Sequence, residues 1–131
     1  METKMIWANL ASTDLLKTAQ FYTDLGFKQN CQMTDELVSV IFADNNFVIN
    51  FFSTKRFETA LKGKSINTKI ENEIIFSLSA DSKEDVDLWF EKVKKAGGKI
   101  FSNPEKFEQG YTFGFADPDG HKFNFLYWPG M

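Results

Sequence analysis

The sequence predicts an α+β chain in which one arrangement, strand, helix, strand, strand, strand, is used twice. Three observations predict it. First, the order strand, helix, glycine, strand, strand, turn, strand can be read in each half of the 131 residues. Second, identities recur in phase. Phe42-Ala43-Asp44 returns 73 residues later as Phe115-Ala116-Asp117, Asn50-Phe51 returns after 74 as Asn124-Phe125, and Gly26 after 71 as Gly97. The extra residue fits a longer second turn. Third, the apolar period switches between two and about 3.6 in the places this order requires.

The elements follow in sequence. Ile6 to Ser12 alternates, with Ile6, Ala8, Leu10 and Ser12 on one face and Trp7, Asn9 and Ala11 on the other. Ser12, Thr13 and Asp14 offer side-chain oxygens to start a helix. Leu15, Leu16, Ala19, Tyr22 and Leu25 then recur at helical spacing. Gly26 ends that helix, since it takes the left-handed cap without a Cβ clash. Phe27 to Met33 is expected as a second strand. Leu37 to Phe42 and Phe47 to Phe52 form a hairpin turned at Asp44-Asn45-Asn46. A short helix over 54–62 contains Phe57, Ala60 and Leu61. Module 1 thus spans about residues 4–55, and a linker, 56–71, leads to module 2 at about 72–129.

In module 2, Glu73 to Ser79 is a strand. Asp81 and Ser82 start a helix with Val86, Trp89, Phe90, Val93 and Ala96 on its inner face, ended by Gly97-Gly98. Its final lysines, Lys92, Lys94 and Lys95, complement the helix dipole. Lys99 to Ser102 begins a strand. Tyr111 to Phe115 and Lys122 to Tyr127 make the last hairpin around Asp117-Pro118-Asp119-Gly120.

Composition removes several function classes. No apolar run is long enough to cross a membrane. Met1 to Met5 carries Glu2 and has no long apolar stretch, so no signal peptide is expected. A single Cys forms no intrachain disulfide, which fits a cytoplasmic protein. Cys31 itself is expected as a small buried or half-buried side chain. A net charge of −3 gives no broad phosphate-binding surface, so no nucleic-acid partner is expected. One His and one Cys do not make a His/Cys zinc site. His121 lies in the last turn, so no Ser–His–acid set is expected, and Gly97-Gly98 follows a helix where phosphate-cradling glycines precede one. The 21 aromatic side chains, 15 of them Phe, exceed what so small a core requires, and the surplus is expected to line a pocket.

Alternation selects the candidate residues. Lys122, Asn124 and Leu126 share the face opposite Phe123, Phe125 and Tyr127. Val48, Asn50 and Phe52 form the corresponding row in module 1, and Glu73, Ile75 and Ser77 lie opposite Ile74, Phe76 and Leu78. The bulky rows pack under helices. Amides in the mixed rows fit a ligand-contacting wall, or else a solvated sheet face, or amides paired with each other.

Two motifs carry a family resemblance. Asn9-Leu10, Asp14-Leu15, Phe21-Tyr22 and Leu25-Gly26-Phe27 form the first, and Phe115-Ala116-Asp117-Pro118-Asp119-Gly120-His121 the second. With the repeat, they make the chain resemble the vicinal oxygen chelate superfamily, which includes glyoxalase I, extradiol dioxygenases, and fosfomycin- and bleomycin-resistance proteins. The resemblance implies two βαβββ modules forming a curved, barrel-like mixed sheet with helices outside, and a homodimer.

It also implies where a divalent metal would be held, by His, Glu or Gln at fixed strand positions. Those positions are Trp7, Asn50, Glu73 and Asn124 here. Trp has no lone pair to give. Neutral amide oxygens bring no net charge to a hard cation. Metal-dependent glyoxalase or dioxygenase chemistry is therefore not expected, no cofactor is expected, and the one metal left open is a weak divalent ion at Glu73.

The expected function is binding of a small organic molecule, cationic or aromatic, in an aromatic-lined cavity. Its candidate contacts are Trp7, Asn9, Asn50, Phe52, Glu73, Lys122 and Asn124. Trp7 either stacks on the ligand or plugs the space of the missing metal. Asn9 either bonds a ligand or holds a strand edge. Glu73, taken out of water by such a cavity, has the character of a general base, or else stands at a strand entrance, exposed or paired with a Lys. In the first case the protein is instead a lyase, isomerase or dioxygenase-type enzyme.

Overall fold

The computed structural model describes residues 1–44 and 47–130. Asn45 and Asn46 of the expected first turn lie outside the described residues. The chain divides into two compact units, Met1–Ile66 and Asn67–Met131.

Unit 1 contains β1 (Trp7–Ser12), α1 (Leu15–Asp24), β2 (Lys28–Gln29), β3 (Leu37–Phe42), β4 (Phe47–Ser53) and α2 (Thr54–Leu61). Its four-stranded sheet runs β1-β4-β3-β2, with β1 parallel to β4 and the other pairs antiparallel. Unit 2 contains β5 (Ile75–Ser79), α3 (Lys83–Lys95), β6 (Lys99–Phe107), β7 (Gly110–Ala116) and β8 (Lys122–Tyr127). Its sheet runs β5-β8-β7-β6, with β5 parallel to β8. Both units therefore order their strands first, fourth, third, second, as the repeat requires. The barrel-like expectation is corrected in one respect: each sheet is open and keeps two edge strands.

The helix starts form as the cap residues dictate. The Asp14 carboxylate accepts from the N–H of Lys17 at 3.1 Å, and the Ser82 hydroxyl from that of Asp85 at 3.0 Å. Gly26 and Gly97 follow α1 and α3 with φ of 93° and 90°.

In unit 1 the buried stripe of α1 is Thr18, Phe21 and Tyr22, continued by Leu25. The expected stripe included Leu16, which is instead 72% exposed. The Thr18 and Ser12 hydroxyls bond at 2.7 Å, which turns the Thr18 side of the helix to the sheet. Tyr22 stacks on Phe51 at 4.9 Å and meets Phe42 edge-on at 5.6 Å. In unit 2, Val86 and Val93 are buried, Trp89 stacks on Phe125 at 4.3 Å, and Phe90 meets Phe113 edge-on at 5.4 Å. Phe113, Phe115, Phe123 and Phe125 are all buried on this helix-side face. Most of the aromatic surplus therefore sits in the two helix–sheet cores, where ring pairs add roughly 0.5–1.5 kcal/mol each beyond their buried area.

Four local expectations change. The second strand, expected over Phe27 to Met33, is only Lys28–Gln29. The strand expected from Glu73 starts at Ile75. β6 extends through Pro104 to Phe107, tolerated because it is an edge strand with register shifts beside Ser102. Cys31, expected to be at least half-buried, is exposed, because β2 ends before reaching it.

Candidate functional site

Each sheet has one face under a helix, α1 or α3, and an opposite, open face that bears neither of these helices, although Ser39, Val48, Gly114 and Ala116 on it are buried. On the open face of unit 1, pairing places Asn9 beside Asn50 and Asn50 beside Ser39. A directional chain of hydrogen bonds links them. The Asn30 amide donates to the Ser39 hydroxyl at 3.3 Å, Ser39 donates to Asn50 Oδ1 at 2.6 Å, and Asn50 Nδ2 donates to Asn9 Oδ1 at 3.1 Å. The chain crosses the sheet from beyond β2 to β1. Its members are fixed because alternation and register leave each of them on one face. Donation runs one way, so the chain ends on Asn9, an exposed residue whose NH₂ group remains to donate outward. Apolar rows flank the polar one, with Trp7, Val48 and Ile41 on one side and Ala11, Phe52 and Leu37 on the other. Trp7 is 50% exposed. The Phe52 ring already faces a cation, with Arg56 Cζ 5.5 Å from its centroid.

The open face of unit 2 repeats the geometry with different chemistry. Asn124 pairs with Ser77 on one side and Gly114 on the other. Gly114 thus stands where unit 1 has Ser39, and it has no hydroxyl to donate. Asn124 Oδ1 is buried and has no hydrogen-bond partner. The glycine is dictated by Phe101, whose ring would lie 2.5 Å from a Cβ at position 114. Lys122 lies on the same face, its Nζ 4.7 Å from the Phe101 centroid.

The candidate residues thus fall into two groups, each within one unit. Trp7, Asn9, Asn50 and Phe52 share the open face of unit 1, and Lys122 and Asn124 share that of unit 2. Glu73 is exposed and lies two residues ahead of β5, outside both sheets. Lys122 lines a cleft of ≈ 440 Å³ in unit 2, and a cleft of ≈ 560 Å³ in unit 1, beside Asp14 and Met33, is lined by none of the seven.

Three participants escape the sequence reading: Ser39, Asn30 and Phe101. Ser39 has a signal, a lone polar residue inside the apolar run Leu37 to Phe42. Phe101 has one as well, since an isolated glycine in a strand, here Gly114, marks a close approach.

The metal positions implied by the resemblance can be tested against this geometry. Trp7 is a donor only. The Asn50 oxygen is already engaged by Ser39. Glu73 stands in solvent, and Asn124 offers one neutral oxygen. Among the described residues, no three His, Cys, Asp or Glu side chains group so as to hold a metal. The donor set does not fit a divalent transition metal.

Strand order, the paired modules and the two motifs together define a class. Residues 4–125 match the Glyoxalase/Bleomycin resistance protein/Dioxygenase superfamily, and the chain belongs to it. Among solved structures, a hypothetical protein SA1046 from S. aureus is 34% identical, with TM-score 0.86, over 97% of this chain and 95% of that one. A glyoxalase-related enzyme from Fulvimarina pelagi shares 18% identity and TM-score 0.84, over 98% and 90%. A lactoylglutathione lyase from Agrobacterium tumefaciens shares 17% and TM-score 0.71, over 96% and 94%, a likeness of fold. No curated protein matches the chain.

Proposed function

We propose that this superfamily member binds a small organic molecule on its open sheet faces without a metal. The observation that carries the reading is the contrast between two repeat-related amides. Asn50 is engaged at its oxygen by Ser39 and at its NH₂ by Asn9, whereas Asn124 keeps a buried carbonyl oxygen with no partner. Such an orphan costs about 1–3 kcal/mol, so it calls for a donor from outside the chain. A ligand N–H or O–H satisfies it. On unit 1, taken by itself, the outward NH₂ of Asn9 suits a ligand acceptor.

Trp7 is the stacking surface for a flat or cationic ligand. Phe52 and Phe101 are less suited to a ligand cation, because Arg56 and Lys122 already occupy their rings. Such a protein would act by holding its ligand, for example by sequestering a toxic compound. Open faces of this kind are covered in a homodimer, and light scattering should give twice the chain mass; a monomer at micromolar concentration would contradict this. An exposed Cys31 suits the reducing cytoplasm. No helix among the described residues is long and apolar enough to cross a membrane.

The test is a titration of neutral and cationic planar heterocycles, read by the side-chain NH₂ resonances of Asn9, Asn50 and Asn124. Saturable shifts at Asn124 support the reading. Compounds that bind while leaving all three unmoved overturn it.

A further inference from the structure

Unit 2 holds a feature that this reading does not use. Its ≈ 440 Å³ cleft opens at the hairpin end of the sheet. Lys69, Lys99 and Lys122 line it, with Phe101 and Ile70 as apolar wall. In a chain of net charge −3, three ammonium groups around one concavity run against the composition. Among the described residues none of the three is in a salt bridge. The acid in the lining, Asp117, is buried, and its Oδ1 already accepts from the N–H groups of Asp119 and His121 at 3.0 and 2.9 Å. Three lysines against this one carboxylate leave the lining net positive, and concave walls of low dielectric strengthen its field.

The cleft is also built rather than incidental. The Thr68 hydroxyl donates to the Asp119 carbonyl at 2.6 Å, which fastens the 68–72 segment to the Asp117–Gly120 turn, and Asn72 Nδ2 donates to the Thr68 carbonyl at 2.9 Å, which closes the segment on itself. Gly120, with φ 89°, permits this docking, since a Cβ there would meet the Thr68 carbonyl and lie 2.8 Å from Lys69 Cα. Lys122 is held by its position over the Phe101 ring.

We infer that this cleft binds the oxyanion group, phosphate or carboxylate, of a small organic molecule through Lys69, Lys99 and Lys122. The volume lies within the range of small-molecule sites, roughly 300–1,000 Å³, and exceeds what a bare ion fills. The remainder of the ligand packs on Phe101 and Ile70. The inference uses unit 2 alone and stands independently of the metal-free reading.

The experiment titrates the full chain with phenyl phosphate, benzoate, inorganic phosphate and benzylamine, following the backbone amides of Lys69, Gly120 and Lys122. Phenyl phosphate or benzoate should give saturable shifts, and whichever binds more tightly identifies the oxyanion. Its dissociation constant should rise about tenfold or more in the Lys69→Gln/Lys99→Gln double variant, and less in Phe101→Leu. Both lysines are exposed, so the double variant keeps its fold. Absence of saturation by about 10 mM, an affinity unchanged by the double variant, or equal binding of benzylamine overturns the inference. Inorganic phosphate binding as tightly as phenyl phosphate also overturns it, since no organic part is then read. Failure of the open-face reading would instead show at the Asn9 and Asn124 side chains.

Discussion

Replacing Asn50 and Asn124 by leucine, one at a time, should give opposite results although the two occupy the same place in the repeat. In unit 1 the substitution removes two hydrogen bonds, of 2.6 and 3.1 Å. The Ser39 hydroxyl, on a residue only 1% exposed, loses its acceptor, while the exposed Asn9 regains water. A stranded buried donor costs about 1–3 kcal/mol, and leucine recovers part of that through its apolar area. The net expectation is a loss of about 1–2 kcal/mol, or roughly 3–8 °C in Tm for a chain of this size. In unit 2, Asn124→Leu removes a carbonyl oxygen that has no partner. Leucine then replaces an unsatisfied polar group by an apolar one, which is neutral or stabilising by about 1–2 kcal/mol. Urea unfolding of the ligand-free protein measures both. Equal losses in the two variants, or a larger loss for Asn124→Leu, would refute the claim that the repeat-related amides differ in satisfaction.

Two further predictions concern carboxylates. Glu73→Gln should leave stability within about 0.5 kcal/mol of the parent and any detected turnover unchanged, because the side chain stands in solvent ahead of β5; a turnover lost with this substitution would make Glu73 the catalytic base. Glu58 is held below its ordinary value by the backbone N–H of Ser65, then by its hydroxyl, with Lys64 adding a smaller effect against some desolvation. A depressed carboxyl stabilises the fold above its unfolded value and loses that contribution as pH falls through the folded one. The stability difference between the parent and Glu58→Gln should therefore be constant above about pH 5 and vanish in stronger acid; a difference that grows on acidification would contradict the assignment.

Much of the fold was legible because period and punctuation agreed. Asp14 and Ser82 announced the two long helices, Gly26 and Gly97 closed them, and the alternation along Lys122 to Tyr127 placed Asn124 on the open face, as the register shows. The stripe of α1 departs from the spacing at Leu16, because a hydroxyl pair, Ser12 with Thr18, sets which side of the helix is buried. The same kind of information decides the open faces. Alternation locates Asn50 and Asn124 but says nothing of cross-strand partners. Those depend on which residue of β3 or β7 lies opposite, Ser39 in one unit and Gly114 in the other. The aromatic surplus suggested a ring-lined cavity, yet in three dimensions the rings mostly pair under α1 and α3, leaving Trp7, Phe52 and Phe101 on the open faces. The lysine cleft was invisible because Lys69, Lys99 and Lys122 are far apart in sequence and meet through the docked 68–72 segment.

The central claim, that this superfamily member works without a metal, is tested most directly by the metal content of the purified protein after incubation with Zn²⁺, Ni²⁺ or Fe²⁺ and gel filtration. The donor set of Trp7, Asn50, Glu73 and Asn124 predicts far less than one bound ion per chain and no rise in Tm with any of the three. One tightly held ion per chain, lost on substitution of Glu73 or Asn124, would contradict it.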